Sequence, residues 1–157
     1  MRTYLILLSV CLAACRVSEP KPEPITTLAC YDGQPRMSPD GKFIAFVSTQ
    51  SGDRHVWIYD IAEQTRTPLT YNEGVDEHPD FSPDNERLVF SSLINGQRDL
   101  WLIDQESQLL QLTKTETADE YSPHWSKDGN WIYFVMRDSS GWNLCKVNHK
   151  NFSDVQI

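Results

Sequence analysis

One short phrase recurs at a fixed spacing of 44 residues. It reads Pro35-Arg36-Met37-Ser38-Pro39-Asp40-Gly41, then Pro79-Asp80-Phe81-Ser82-Pro83-Asp84-Asn85, then Pro123-His124-Trp125-Ser126-Lys127-Asp128-Gly129. A period of this size marks a repeat architecture, in which each unit has a hydrophobic face that only a neighbouring copy can cover. The chain is therefore read as three copies of one unit, not as one irregular domain.

Each copy has the same order of parts. After the turn comes an apolar run: Phe43 to Val47, Leu88 to Phe90, and Trp131 to Val135. These runs are β-branched and aromatic, a few residues long and bounded by turn formers, which predicts buried strands. Phe46, Phe90 and Phe134 keep the register. A polar loop holding Gly52, Gly96 or Gly141 leads to a second strand: Val56 to Asp60, Leu100 to Asp104, and Leu144 to Asn148. Trp57 and Trp101 align with Cys145, and Asp60 and Asp104 align with Asn148, a short side chain that opens a turn by bonding the backbone. A short closing strand follows at Thr67 to Thr70, at Leu109 to Thr113 and, as a poorer match, at Phe152 to Ile157. The stretch before each Pro-x-aromatic phrase supplies an innermost strand. Four short antiparallel strands per unit of about 44 residues predict an all-β fold of propeller blades.

The Ser-Pro-Asp-Gly phrase invites a catalytic reading, with the serine as nucleophile. Turn chemistry explains it better. Proline presets φ, aspartate bonds its own backbone, and glycine takes positive φ. Lys127 in place of proline and Asn85 in place of glycine are substitutions that a turn tolerates.

These phrases resemble the WD40-like repeat of the TolB-type β-propeller. The second copy carries the likeness most fully, in Pro79 to Asp84, Phe90-Ser91-Ser92, Leu100 to Asp104 and Leu112-Thr113. The resemblance covers residues 35–157 and implies three four-stranded antiparallel blades, a partial propeller. TolB proteins carry a separate α/β domain before six blades and bind a peptidoglycan-associated lipoprotein in an envelope-spanning system. Three blades without that domain imply the fold and an envelope-binding role, but not a particular partner. Solitary end blades would expose apolar faces. Two chains could pair as a homodimer completing a six-bladed ring, another protein could complete it, or the chain could be a truncated propeller. Ile25-Thr26-Thr27-Leu28 resembles a closing strand without its own blade.

Residues 1–14 are expected to be a signal peptide. Arg2 precedes an apolar stretch from Tyr4 to Ala14, too short for a bilayer-spanning helix of about 20 residues. Leu12-Ala13-Ala14-Cys15 resembles a bacterial lipobox, which implies cleavage before Cys15 and acylation there. An ordinary signal peptide or a buried apolar segment is the alternative. Arg16 leans toward the outer membrane. Residues 15–34 then comprise the lipidated cysteine, a tether and a possible closing strand. Alternating prolines through Pro20, Pro22 and Pro24 make the tether extended, at about 3.1 Å per residue, so that it would hold the folded part roughly 25 Å from the bilayer.

The formal charge is −8, which argues against nucleic acid and against adhesion to anionic lipid. Cys30 and Cys145 remain after Cys11 and Cys15 are accounted for. In an oxidising compartment they could pair, or Cys145 could fill a core position.

No catalytic constellation emerges. His55, His78, His124 and His149 lack metal-ligand spacing, and there is no Gly-x-Ser-x-Gly elbow or phosphate loop. Asp76-Glu77 and Asp119-Glu120 precede Pro79 and Pro123. If they enter innermost strands they would converge near a central channel, as a site for Ca²⁺ or for a cationic side chain of a partner. The alternative is solvated loop carboxylates. The first copy offers only Asp32-Gly33-Gln34 there. Together these features predict a non-catalytic envelope lipoprotein, facing the periplasm and binding a protein or peptide. A propeller that binds a small ligand or a glycan, with Trp142 stacking on sugar rings, is the alternative, and a propeller lyase or other enzyme is less favoured.

Overall fold

The structure is a computed structural model, and it describes residues 21–150 together with the strand Val155–Gln156. The signal-peptide, lipobox and Cys15 expectations lie outside the described residues, as does most of the tether.

The described chain forms three four-stranded antiparallel sheets in sequence order. The first holds β1 (Asp32–Met37), β2 (Phe43–Ser48), β3 (His55–Asp60) and β4 (Thr65–Pro68). The second holds β5 (Val75–Phe81), β6 (Arg87–Ile94), β7 (Gln97–Asp104) and β8 (Leu109–Gln111). The third holds β9 (Asp119–Trp125), β10 (Trp131–Asp138), β11 (Gly141–Asn148) and β12 (Val155–Gln156). Strands β1, β5 and β9 run through the Pro-x-aromatic phrase, and neighbours among them touch. They are the innermost strands of three successive blades.

The predicted register holds residue by residue. Phe46 lies opposite Trp57, Phe90 opposite Trp101 and Phe134 opposite Cys145. The three phenylalanines are all buried. Cys30 and Cys145 are both free thiols, with Cys145 buried in the core. Apolar residues pack between blades. Ala45, Val56 and Ile58 of the first blade meet Phe81, Leu88 and Phe90 of the second. Val89, Leu100 and Leu102 of the second meet Trp125, Ile132 and Phe134 of the third.

The Ser-Pro-Asp-Gly turns consume their own polar groups. Ser38 Oγ donates to Asp40 Oδ1 at 2.7 Å and accepts the Phe43 N–H at 2.9 Å. Ser82 and Ser126 repeat both bonds with Asp84 and Arg87, and with Asp128 and Trp131. Gly41, Asn85 and Gly129 take φ of 73°, 62° and 69°. Asp60, Asp104 and Asn148 accept backbone N–H groups of the turns they open. The second hairpin is longer than its apolar run suggests, because Asn95 and Gly96 both have positive φ. Such a two-residue turn matches strand twist and lets β6 and β7 pair to their tips.

Candidate functional site

Each innermost strand carries the same irregularity. Register shifts fall between Gly33 and Arg36, between Glu77 and Asp80, and, on β9, between Tyr121 and His124. One extra residue on one strand is a β-bulge, which bends the strand and re-aims its side chains. Gln34, His78 and Ser122 sit in these bulges with φ of 54°, 56° and 50°. They are 44 residues apart. A left-handed conformation is uncommon for residues other than glycine. Gln34 Oε1 accepts the His78 N–H at 2.6 Å and so ties the first bulge to the second.

Just past the bulges, Arg36, Asp80 and His124 occupy equivalent positions and meet. Arg36 Nε lies 3.8 Å from Asp80 Oδ1, and His124 Nδ1 lies 3.5 Å from Asp80 Oδ2. Arg36 Nη2 and His124 Nε2 are 3.5 Å apart. Asp80 Oδ2 also accepts the Trp125 N–H at 2.8 Å. Burial pushes the Asp80 carboxyl up, while Trp125, His124 and Arg36 pull against it. The carboxylate is the covered centre of the trio, and the Arg36 and His124 side chains are about half exposed. Three blades thus put one donor-rich polar cluster on their common inner face.

The predicted acidic residues sit elsewhere on the same strands. Asp76 and Glu120 are equivalent and fully buried. Asp76 accepts bonds from Thr70 Oγ1 at 2.6 Å and Asn72 Nδ2 at 3.0 Å, with His55 Nδ1 at 3.3 Å. Glu120 is bonded by Thr113 Oγ1. Burial raises the Glu120 carboxyl to about 7; the Thr113 bond opposes this, and the Asp99 carboxylate adds to it. Glu77 pairs with Arg54 at 2.6 Å and with Arg98 at 3.1 Å. Asp119 pairs with Arg137 at 2.5 Å. Among the described residues no three His, Cys, Asp or Glu side chains gather as a metal site would need. Trp142 is exposed beside Tyr121, with ring centroids 5.5 Å apart, and Arg137 lies over it. A cleft of about 470 Å³ opens between the first two blades, lined by Phe43, Ile58, Leu69, Phe81, Arg87 and Ile103 among others, away from the Arg36–Asp80–His124 trio.

Sequence reasoning passed over Arg36, Asp80 and His124. The signal was available: each follows the proline of the repeated phrase, Pro35, Pro79 or Pro123, so the 44-residue spacing places them at one level. Their unlike chemistry hid a shared location.

Stacked four-stranded blades with a polar cluster on their inner strands define a segment of β-propeller. Comparison with known proteins makes the assignment specific: the chain belongs to the TolB beta propeller domain family, whose model matches residues 24–153. It is similar to TolB from Acinetobacter baumannii, with a TM-score of 0.78 and 23% identity over 87% of this chain and 34% of that one. It is similar to a putative TolB from Agrobacterium tumefaciens, with a TM-score of 0.73 and 24% identity over 84% and 50% of the two chains. An oligogalacturonate lyase from Vibrio parahaemolyticus shares the fold at a TM-score of 0.67 and 17% identity, over 85% and 42%. The chain therefore spans between a third and a half of the length of these solved relatives. No curated protein matches it.

Proposed function

We propose that this chain is a non-catalytic binding propeller of the bacterial envelope, tethered to a membrane through an acylated Cys15. It takes a protein or peptide segment at the inner-strand cluster of Arg36, Asp80 and His124. The observation that carries the binding role is this convergence of three equivalent positions. A half-exposed guanidinium and a half-exposed imidazole flank one covered carboxylate. With His124 neutral the trio sums to no charge, and with His124 protonated it is cationic. Either form offers N–H donors to a carboxylate or to backbone carbonyls of an extended segment. Family membership supports the reading at the level of fold. The pattern Leu12-Ala13-Ala14-Cys15 supports the anchor, and the acidic net charge suits an anchor that does not rely on lipid charge.

A crosslinking pull-down from native envelopes tests the binding role. The parent chain is expected to retain a discrete envelope protein that the Arg36→Ala/His124→Ala double variant loses, with both chains melting at the same temperature. Equal capture by both would end the reading. Fractionation with palmitate labelling tests the anchor separately. Label and membrane association should both disappear in Cys15→Ser.

A further inference from the structure

The joint between blades is built twice in this chain, and one end of it is finished differently each time. In the second joint, Leu102 and Leu112 of the middle blade meet Ile132 and Val147 of the third, and all four are buried. Trp125 packs against them, and the His149 ring stands edge-on to the Trp125 indole, with centroids 4.9 Å apart. His149 is itself buried. Burial first, then the charges of Arg87 and Lys150, hold its imidazole below the ordinary value. A neutral ring therefore closes that joint.

In the first joint the same places hold other residues. Ile58 and Leu69 stand for Leu102 and Leu112, and Leu88 and Ile103 for Ile132 and Val147. Phe81 stands for Trp125 and Gln105 for His149. Gln105 brings no ring, and its Nε2 donates to Asn85 O at 3.2 Å, on the turn of its own blade. The cleft of about 470 Å³ is the space left between these walls. Leu88 and Ile103 are buried, whereas Ile58, Leu69 and Phe81 are only partly so. A concave, mostly apolar cleft of this size with a few polar groups is the usual form of a small-molecule site. The charged groups of its lining are Glu86, Asp104 and Arg87, so carboxylates outnumber the single guanidinium. Asp104 Oδ1 is committed to the Glu106 and Gln108 N–H groups, while Glu86 is exposed.

We propose that this cleft binds a small aromatic amine. The flat ring packs on Phe81 between Ile58 and Leu69, in the part that His149 plays in the second joint, and the ammonium group lies at the rim with Glu86 and Asp104. The ring covers apolar surface that the second joint covers from within the chain. An edge-on or offset pairing with Phe81 adds to that burial. The ammonium brings three N–H donors to carboxylate acceptors, which an aromatic acid would meet with repulsion. The cleft lies between two described blades and away from Arg36, Asp80 and His124, so the inference stands apart from the envelope-binding role.

Calorimetry of the full chain in mild detergent at pH 8 tests it, with tryptamine and indole-3-acetate as matched probes and a detergent blank subtracted. Tryptamine is expected to bind saturably at one site, about tenfold or more tighter than indole-3-acetate. Phe81→Trp/Gln105→His copies the second joint into the first and leaves the net charge unchanged at this pH. That variant, with circular dichroism superimposed on the parent's, should bind tryptamine more than about thirtyfold more weakly. Glu86→Lys, on an exposed turn, inverts the charge of the rim and should reverse the preference between the two probes. It decides the case if the double variant does not fold. Three results overturn the inference: a parent with no saturable tryptamine binding, a folded double variant that binds tryptamine like the parent, or a Glu86→Lys chain whose preference is unchanged.

Discussion

Thr70 Oγ1 donates to Asp76 Oδ2 at 2.6 Å across the joint between the first two blades while accepting the Val56 N–H at 3.0 Å. One hydroxyl thus satisfies a buried amide of one blade and a buried carboxylate of the next. A threonine meets this need because its hydroxyl both donates and accepts, and its β-branch suits an extended backbone.

Replacing Thr70 with valine keeps the shape and removes both bonds. A buried amide and a buried carboxylate each lose a partner, a loss of about 1–3 kcal/mol for an unsatisfied group and more for a charged one. We expect Thr70→Val to destabilise the chain by about 2–3 kcal/mol in urea unfolding. Thr67→Val, on the exposed side of β4, should change stability by less than about 0.5 kcal/mol.

The second joint should be sensitive to pH. Glu120 has an ordinary value of 4.5 and is raised to about 7 in the folded chain. Between those values the folded state holds a proton that the unfolded state has released. Stability therefore falls as pH rises through this window and is flat above it. Glu120→Gln removes the group that titrates. It should stabilise the chain at pH 8 relative to pH 5 by up to about 3 kcal/mol, at roughly 1.4 kcal/mol per pH unit. Unfolding curves at the two pH values read this directly, and an equal effect at both would contradict it.

The bulges store backbone strain at side chains that disfavour it. Ser122 has φ of 50°, and a β-branched residue would fit worse. Ser122→Val is expected to cost about 1–2 kcal/mol. Ser122→Gly should be neutral or stabilise by about 0.5 kcal/mol, relief of strain being partly offset by the freedom glycine gains when unfolded. Thermal melts of the three chains give the order.

Much of this was legible before any coordinates. The period placed Phe46, Phe90 and Phe134 at one depth and Asp60, Asp104 and Asn148 at turns, because strand alternation and turn chemistry are local rules. Ile25-Thr26-Thr27-Leu28 resembles a closing strand in sequence, yet no strand forms there. The polar architecture was harder to see. Asp76 and Glu120 look like loop acids until their threonines are placed beside them, and those contacts cross from one blade to the next. A bulge adds one residue without altering the repeat length, so nothing in the spacing distinguishes Gln34, His78 and Ser122. Arg36, Asp80 and His124 share a place without sharing a chemistry, and only the packing of three blades brings them together.

That packing gives positions 44 residues apart equivalent places on neighbouring inner strands. Nuclear Overhauser spectra of the labelled chain test it most directly. Arg36 and His124 are separated by 88 residues, and their side-chain nitrogens are 3.5 Å apart. Cross-peaks between the Arg36 side chain and the His124 ring are predicted. Assigned resonances for both residues with no cross-peak between them would contradict the account.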